Sequence, residues 1–283
     1  MTIAGKLFRF FLYSNLFIAC CAALMVYQTC QLLLHSAPDI YFIWFVFFAT
    51  ICSYSFHWYL TPAGTGSTTD RMLWLTKNRS VHSILFFVGF TGAVVSGLFL
   101  LAYWKWLLLS VFITFLYSAP KMPHRWFRLL RKVALGKTIF LAFVWTYVTT
   151  ILPLIISNPG WKFTFSLFAG SRFFLIYAIC ILFDYRDKEY DRAIGIRSLI
   201  TWLSERGIIG LFTASLLAFV FFTVAMVPYG RLSYTTLFIL LIPGVILAAL
   251  YRHAQKKISD ILYYFILDGL MALPALLTLI FGY

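Results

Sequence analysis

The chain has 283 residues, of which 62% are hydrophobic and 11% charged; that composition excludes a soluble domain of ordinary make-up. A formal net charge of +14 does not point to a nucleic-acid partner, because the basic residues fall in short connections between apolar runs, where membrane topology accounts for them. The runs are continuous rather than alternating with period two, which excludes a transmembrane barrel, and at about 18 to 23 residues they suit helices crossing a hydrocarbon layer of about 30 Å.

Taken in chain order, the runs bounded by charge, Pro or Gly predict nine spans, near residues 8–33, 40–60, 81–101, 104–119, 135–156, 164–183, 207–227, 232–250 and 260–281. The fold class is an all-α polytopic membrane protein, one nine-helix domain over residues 1–283. The first run lacks a small-residue cleavage site and is too long for a signal peptide, so it is expected to remain as a span. The third and fourth spans, joined only by Tyr103-Trp104-Lys105, should form an antiparallel hairpin. Cys20, Cys21, Cys30, Cys52 and Cys180 lie in or beside apolar runs without metal-type spacing and read as packing residues.

Charge orients the spans. With the N-terminus cytoplasmic, 19 of the 23 Lys and Arg fall on the inside, and only Lys105, Lys162, Arg172 and Arg231 are left for the outside. One missed span would invert every later loop, so this asymmetry supports nine. It predicts a cytoplasmic N-terminus, an outside C-terminus and residence in the cytoplasmic (inner) membrane. Among the aromatics, Trp58, Tyr59, Trp104 and Trp202 sit near span ends, as interfacial anchors do. Phe86, Phe87, Trp145 and Tyr147 lie deeper, where they either line a cavity or fill the bundle.

The sixth span runs into Phe183-Asp184-Tyr185-Arg186-Asp187-Lys188-Glu189-Tyr190-Asp191-Arg192. Asp184, Asp187 and Asp191 are spaced i, i+3 and i+7, which returns them to one helical face, with Glu189 pointing away. Three carboxylates on one face at the mouth of a bundle suit a hard divalent cation, Mg²⁺ first, since it binds through one or two carboxylates plus substrate phosphates. The alternative is a solvated segment of mixed charge, because Arg186, Lys188 and Arg192 interleave with the acids.

A second segment follows the fourth span: Tyr117-Ser118-Ala119-Pro120-Lys121, then a basic run. With both segments in view, the chain resembles the UbiA-type family of intramembrane aromatic prenyltransferases. Asp184, Asp187, Asp191, Arg192, Gly195 and Ser198 fit that family's pattern Asp-x-x-Asp-x-x-x-Asp-Arg-x-x-Gly-x-x-Ser/Thr; Tyr117, Ser118, Pro120 and Lys121 fit its Tyr-Ser-x-Pro-Lys-like turn. The resemblance implies nine helices around a central lipid-accessible cavity whose mouth faces the cytoplasm. It implies Mg²⁺-dependent transfer of a prenyl group from an isoprenoid diphosphate to a hydrophobic, quinone-precursor-like aromatic acceptor, with the lipid bilayer as partner and no nucleic acid. Asp184, Asp187 and Asp191 would hold the metal, with Asp187 and Asp191 essential to catalysis. Tyr117, Ser118, Lys121, Arg125, Arg128, Lys77, Arg79, Arg192 and Ser198 would bind substrate.

One part of the family pattern is absent. Its first acidic motif, Asn-Asp-x-x-Asp after the second span, is replaced by Cys52-Ser53-Tyr54-Ser55-Phe56-His57-Trp58, with no carboxylate. The nearest acid is Asp70, followed by Lys77-Asn78-Arg79-Ser80. His57 at this place is a metal ligand, a base for the acceptor's proton, or a hydrogen-bonded span-end residue. Asp268, about eight residues into the last span, should face the bundle interior, either replacing a missing acid or pairing with a buried polar group. An alternative reading is an inactive family member that binds isoprenoid or quinone lipid or scaffolds a membrane partner. A transporter fits less well, because the acids cluster at a mouth rather than at mid-depth.

Overall fold

The computed structural model describes residues 2–60, 69–119, 136–157, 160–193, 198–230, 232–256 and 259–281. Among these residues all regular structure is helical. In chain order the helices are α1 (Ile3–Tyr13), α2 (Leu16–Leu34), α3 (Ile40–Tyr59), α4 (Asp70–Lys77), α5 (Arg79–Leu98) and α6 (Trp104–Ser118). They are followed by α7 (Lys137–Ser157), α8 (Phe163–Ala193), α9 (Leu199–Trp202), α10 (Glu205–Gly230), α11 (Tyr234–Lys256) and α12 (Leu262–Phe281). Nine described helical segments are long and apolar enough to cross a membrane, and they fall on the nine predicted runs.

Local chemistry explains two departures from the predicted boundaries. The first run is broken at Ser14-Asn15, and α1 is a separate helix before the span α2. Asn15 has φ 68°, a left-handed conformation that Asn tolerates better than most residues, and its buried side chain donates from Nδ2 to Ser55 Oγ at 3.4 Å. The second departure is α4, a short helix in what reads as a loop. Thr69 caps it by accepting from Met72 N at 3.4 Å, as N-cap threonines do.

Packing sets which helices border the interior. Gly89 and Gly92 let α5 lie against α3: a Cβ on Gly89 would meet Cys52 N at 2.6 Å, and one on Gly92 would meet the Phe48 ring at 2.4 Å. Small residues at such crossings allow backbones to approach closely. The expected α5–α6 hairpin is therefore looser than a paired one, since α5 packs along α3 while α6 touches α3 and α7. From there α7 packs on α8, α8 on α10, α10 on α11, α11 on α12, and α12 on α2, which returns to α3. Helix α8 has 31 residues, well beyond the roughly 20 that a span needs, so its last turns carry the acidic sequence past the apolar part of the bundle.

Arg172, assigned by charge counting to the outside, is instead buried within α8, at 5% exposure. Its Nη1 lies 3.0 Å from Met25 O, 2.6 Å from Thr29 Oγ1, 2.9 Å from Thr149 O and 3.0 Å from Thr150 Oγ1, and its Nη2 lies 2.7 Å from Gln28 Oε1. Thr149 and Thr150 belong to a π-helical turn of α7, Tyr147–Ile151, one of the local bulges found inside α-helices.

Candidate functional site

A cavity of about 2620 Å³ opens between α1–α8 and α12, with no lining residue from α10 or α11. One face of α8 forms a wall of it. Phe173, Ile176, Cys180, Asp184, Asp187 and Asp191 all line the cavity, and their spacing of three and four residues is the helical repeat. Along that face the chemistry changes from apolar to acidic at Asp184. The three predicted carboxylates thus share one wall, above an apolar chamber to which Phe86 and Trp145 contribute. Of the other two deep aromatics, Phe87 is exposed and Tyr147 is buried off the cavity wall.

Each carboxylate is engaged differently. Asp184, 7% exposed, accepts a hydrogen bond from the Thr138 hydroxyl at the start of α7. Asp187 accepts from its neighbour Arg186 through both oxygens, at 2.8 and 3.1 Å. Asp191 is buried at 4% exposure. The Lys137 ammonium interacts electrostatically with all three, and Lys137, Thr138 and Arg186 line the same cavity. Lys137 and Thr138 were not singled out by the sequence; the available signal was their place at the first turn of a span, directly after a basic run.

Tyr117 and Ser118 also line the cavity, and they meet His57, which sits where the missing first acidic motif would fall. The His57 ring stacks on Tyr117 with centroids 5.2 Å apart, and His57 Nδ1 is 3.3 Å from Ser118 Oγ. Asp268 lines the cavity too and so faces the interior, as expected from its depth.

The basic residues are distributed differently from the expectation. Lys77 and Arg79 are exposed and do not line the large cavity; the Arg79 guanidinium reaches the Tyr59 carbonyl at 3.4 Å. Arg71, six residues before Lys77, is the one that turns inward, because Arg71 and Leu75 share the buried face of α4. Arg71 is 4% exposed and lines the cavity. Its guanidinium is held over Trp58 and Tyr264 at 4.4 and 4.0 Å from the ring centroids. Burial lowers the Arg71 pKa below its ordinary value, opposed by the nearby Tyr264 and Asp268.

Arg192 and Ser198 have structural partners instead of a cavity position. Arg192 pairs with Glu189 at 3.1 Å and donates to Thr201 O at 3.3 Å. Ser198 is fully buried as the N-cap of α9, accepting from Thr201 N at 3.3 Å. Ser198 belongs to α9 rather than α8, so the regular spacing that suggested a shared site does not continue to it. Lys121, Arg125 and Arg128, together with Gly195, lie outside the described residues.

Among the described residues, no three His, Cys, Asp or Glu side chains converge as a metal-binding group. Cations already act on the acids: Arg186 pairs with Asp187, and the Lys137 ammonium acts on all three through its field. In donor type the set still suits Mg²⁺: carboxylate oxygens on a wall whose cavity has room for a phosphate-bearing ligand to complete the coordination. Compared with family models, curated proteins and solved structures, the chain matches none.

Proposed function

We propose that this protein is a membrane-embedded transferase of the UbiA type, which moves a prenyl group from an isoprenoid diphosphate to a hydrophobic aromatic acceptor. One observation carries the reading: the helical face bearing Asp184, Asp187 and Asp191 forms the wall of a large apolar chamber. An amphipathic ester of this kind needs both parts at once, an apolar space for its chain and a charged rim for its head.

Asp184, Asp187 and Asp191 would hold Mg²⁺, which when bound supplies electrostatic stabilisation to the departing diphosphate. Lys137 and Arg186 add fixed positive charge at the same rim. The chamber would shield the allylic cation from water and hold the acceptor ring against it, so that capture competes with hydrolysis. His57, stacked on Tyr117 and 3.3 Å from Ser118 Oγ, would take the proton that the ring loses on substitution. The cytoplasmic side, by the charge asymmetry of the loops, is the side of the mouth.

A second reading is a protein that binds isoprenoid or quinone lipid without turnover, favoured by the lack of any carboxylate among residues 52 to 60, most of which line the same cavity as α8. Mass spectrometry of lipid-soluble products separates the two. Membranes containing the protein, supplied with allylic diphosphates of several lengths and aromatic acceptors, should yield a prenylated product that disappears with EDTA. Binding of a non-hydrolysable prenyl diphosphate without any product would favour the second reading.

A further inference from the structure

The guanidinium of Arg71 is desolvated and under-compensated. Its Nη2 donates to Asn15 Oδ1 at 2.9 Å, its faces are taken by Trp58 and Tyr264, and its Nε is buried with no hydrogen-bond partner. Among the described residues no carboxylate forms an ion pair with it. Asp260 is close, but its Oδ2 accepts the Arg71 backbone N–H at 2.7 Å and the Tyr13 hydroxyl at 3.3 Å. Asp268 lines the same cavity and acts on Arg71 only through the longer-range field. Arg186 adds a second cation, 5.1 Å from the centroid of the same Tyr264 ring, while itself holding Asp187.

A buried charge is costly unless it is paired. The two aromatic rings fix the plane of the Arg71 fork but satisfy no N–H group, so the fork is preorganised with donor capacity to spare. Planar guanidinium donors match the oxygens of a carboxylate or phosphate, and charge-assisted hydrogen bonds of this kind are about twice as strong as neutral ones.

We propose that Arg71 is an oxoanion-binding residue on the α4–α12 side of the cavity, taking a phosphate or carboxylate group of a bound ligand. Only the naming of the ligand's source rests on the transferase reading: the group is then either the diphosphate head or an acidic substituent of the aromatic acceptor. Lys77 and Arg79 are excluded from this task by their exposure, so of the three cations from α4 to the start of α5 only Arg71 reaches the chamber.

Calorimetry on the full chain in nanodiscs, without Mg²⁺, tests this with inorganic pyrophosphate and benzoate as separate probes. Wild-type protein should bind at least one of them. Arg71→Met, which keeps the unbranched stem between Trp58 and Tyr264, should weaken that binding by about tenfold or more, and Arg71→Lys should retain part of it. Loss of pyrophosphate binding assigns the head group, and loss of benzoate binding assigns the acceptor. A wild-type protein that binds neither probe, or an Arg71→Met protein that binds as tightly as wild type, overturns the proposal. If the Met variant does not fold, phenylglyoxal labelling of wild type decides: the bound probe should protect Arg71 in peptide mass spectra, and labelling unaffected by both probes overturns it. The probes are bound without Mg²⁺ and without turnover, so a protein that binds a probe through Arg71 yet forms no prenylated product marks a failure of the transferase reading alone, and one that forms product but binds neither probe marks a failure of the Arg71 subsite alone.

Discussion

Arg172 and Arg71 are buried to nearly the same degree, at 5% and 4% exposure, yet they are treated in opposite ways. Arg172 has hydroxyl, amide and carbonyl oxygens from α2 and α7 around both terminal nitrogens, and the Phe168 ring at 4.6 Å. Arg71 has two rings, one amide oxygen and a silent Nε, and it faces open space. A saturated buried cation ties three helices together; an unsaturated one beside a cavity holds capacity in reserve for something that enters. The same contrast runs along α8 itself, from the closed polar knot at Arg172 to the cavity-facing acids at Asp184 and beyond.

Breaking the closed knot should cost the most stability. Arg172→Met removes the buried donors of Gln28 Oε1 and Thr150 Oγ1 and leaves the Met25 and Thr149 carbonyls sharing the Thr29 hydroxyl, and is expected to lower unfolding free energy by on the order of 3–5 kcal/mol. Arg71→Met, which strands a single neutral amide oxygen, should cost only about 1 kcal/mol. Thermal unfolding of the two variants in the same detergent measures the difference; equal losses would mean that both arginines are structural.

Lys137→Met sharpens the picture at the other pole. Removing the cation that Asp184, Asp187 and Asp191 share should destabilise the protein by about 2 kcal/mol in EDTA. Added Mg²⁺ should then raise the melting temperature of this variant more than that of wild type, since the ion no longer competes with the lysine for the three acids. An equal response in both proteins would argue against the acids as a divalent-ion site.

The smallest effect is expected at the rim, where Asp260 receives both the Arg71 backbone and the Tyr13 hydroxyl. Burial, with Asp260 adding to it, pushes the Tyr13 pKa from 10.0 to about 12. The folded protein therefore holds this proton more tightly than the unfolded chain. The corresponding stability is complete below pH 10.0 and is lost as the pH rises towards about 12. Tyr13→Phe should flatten that alkaline decline at a cost of about 1 kcal/mol at neutral pH, as chemical denaturation across the alkaline range would show.

The spans were legible because length and apolarity alone decide them, and the acidic face was legible because 184, 187 and 191 fall on a helical repeat. The break at Asn15 was not, since neither a charge nor a proline marks it; a left-handed turn held by Ser55 and Arg71 depends on contacts distant in sequence. The sequence singled out Lys77 and Arg79 and passed over Arg71, because α4 had not been recognised as a helix with one face turned inward. Arg172 was misplaced for a related reason: an arginine in an apolar run reads as a span end unless its partners on α2 and α7 are known. Ser198 was drawn into the site by motif spacing, whereas its hydroxyl is spent on capping α9.

The account depends most directly on the acids of α8 acting at the chamber wall, and turnover in membranes of the Asp187→Ala/Asp191→Ala double variant measures that. It predicts that prenyl transfer supported by the wild-type protein falls by about 100-fold or more while the variant remains folded and inserted. Product formation at the wild-type rate in the double variant would contradict it.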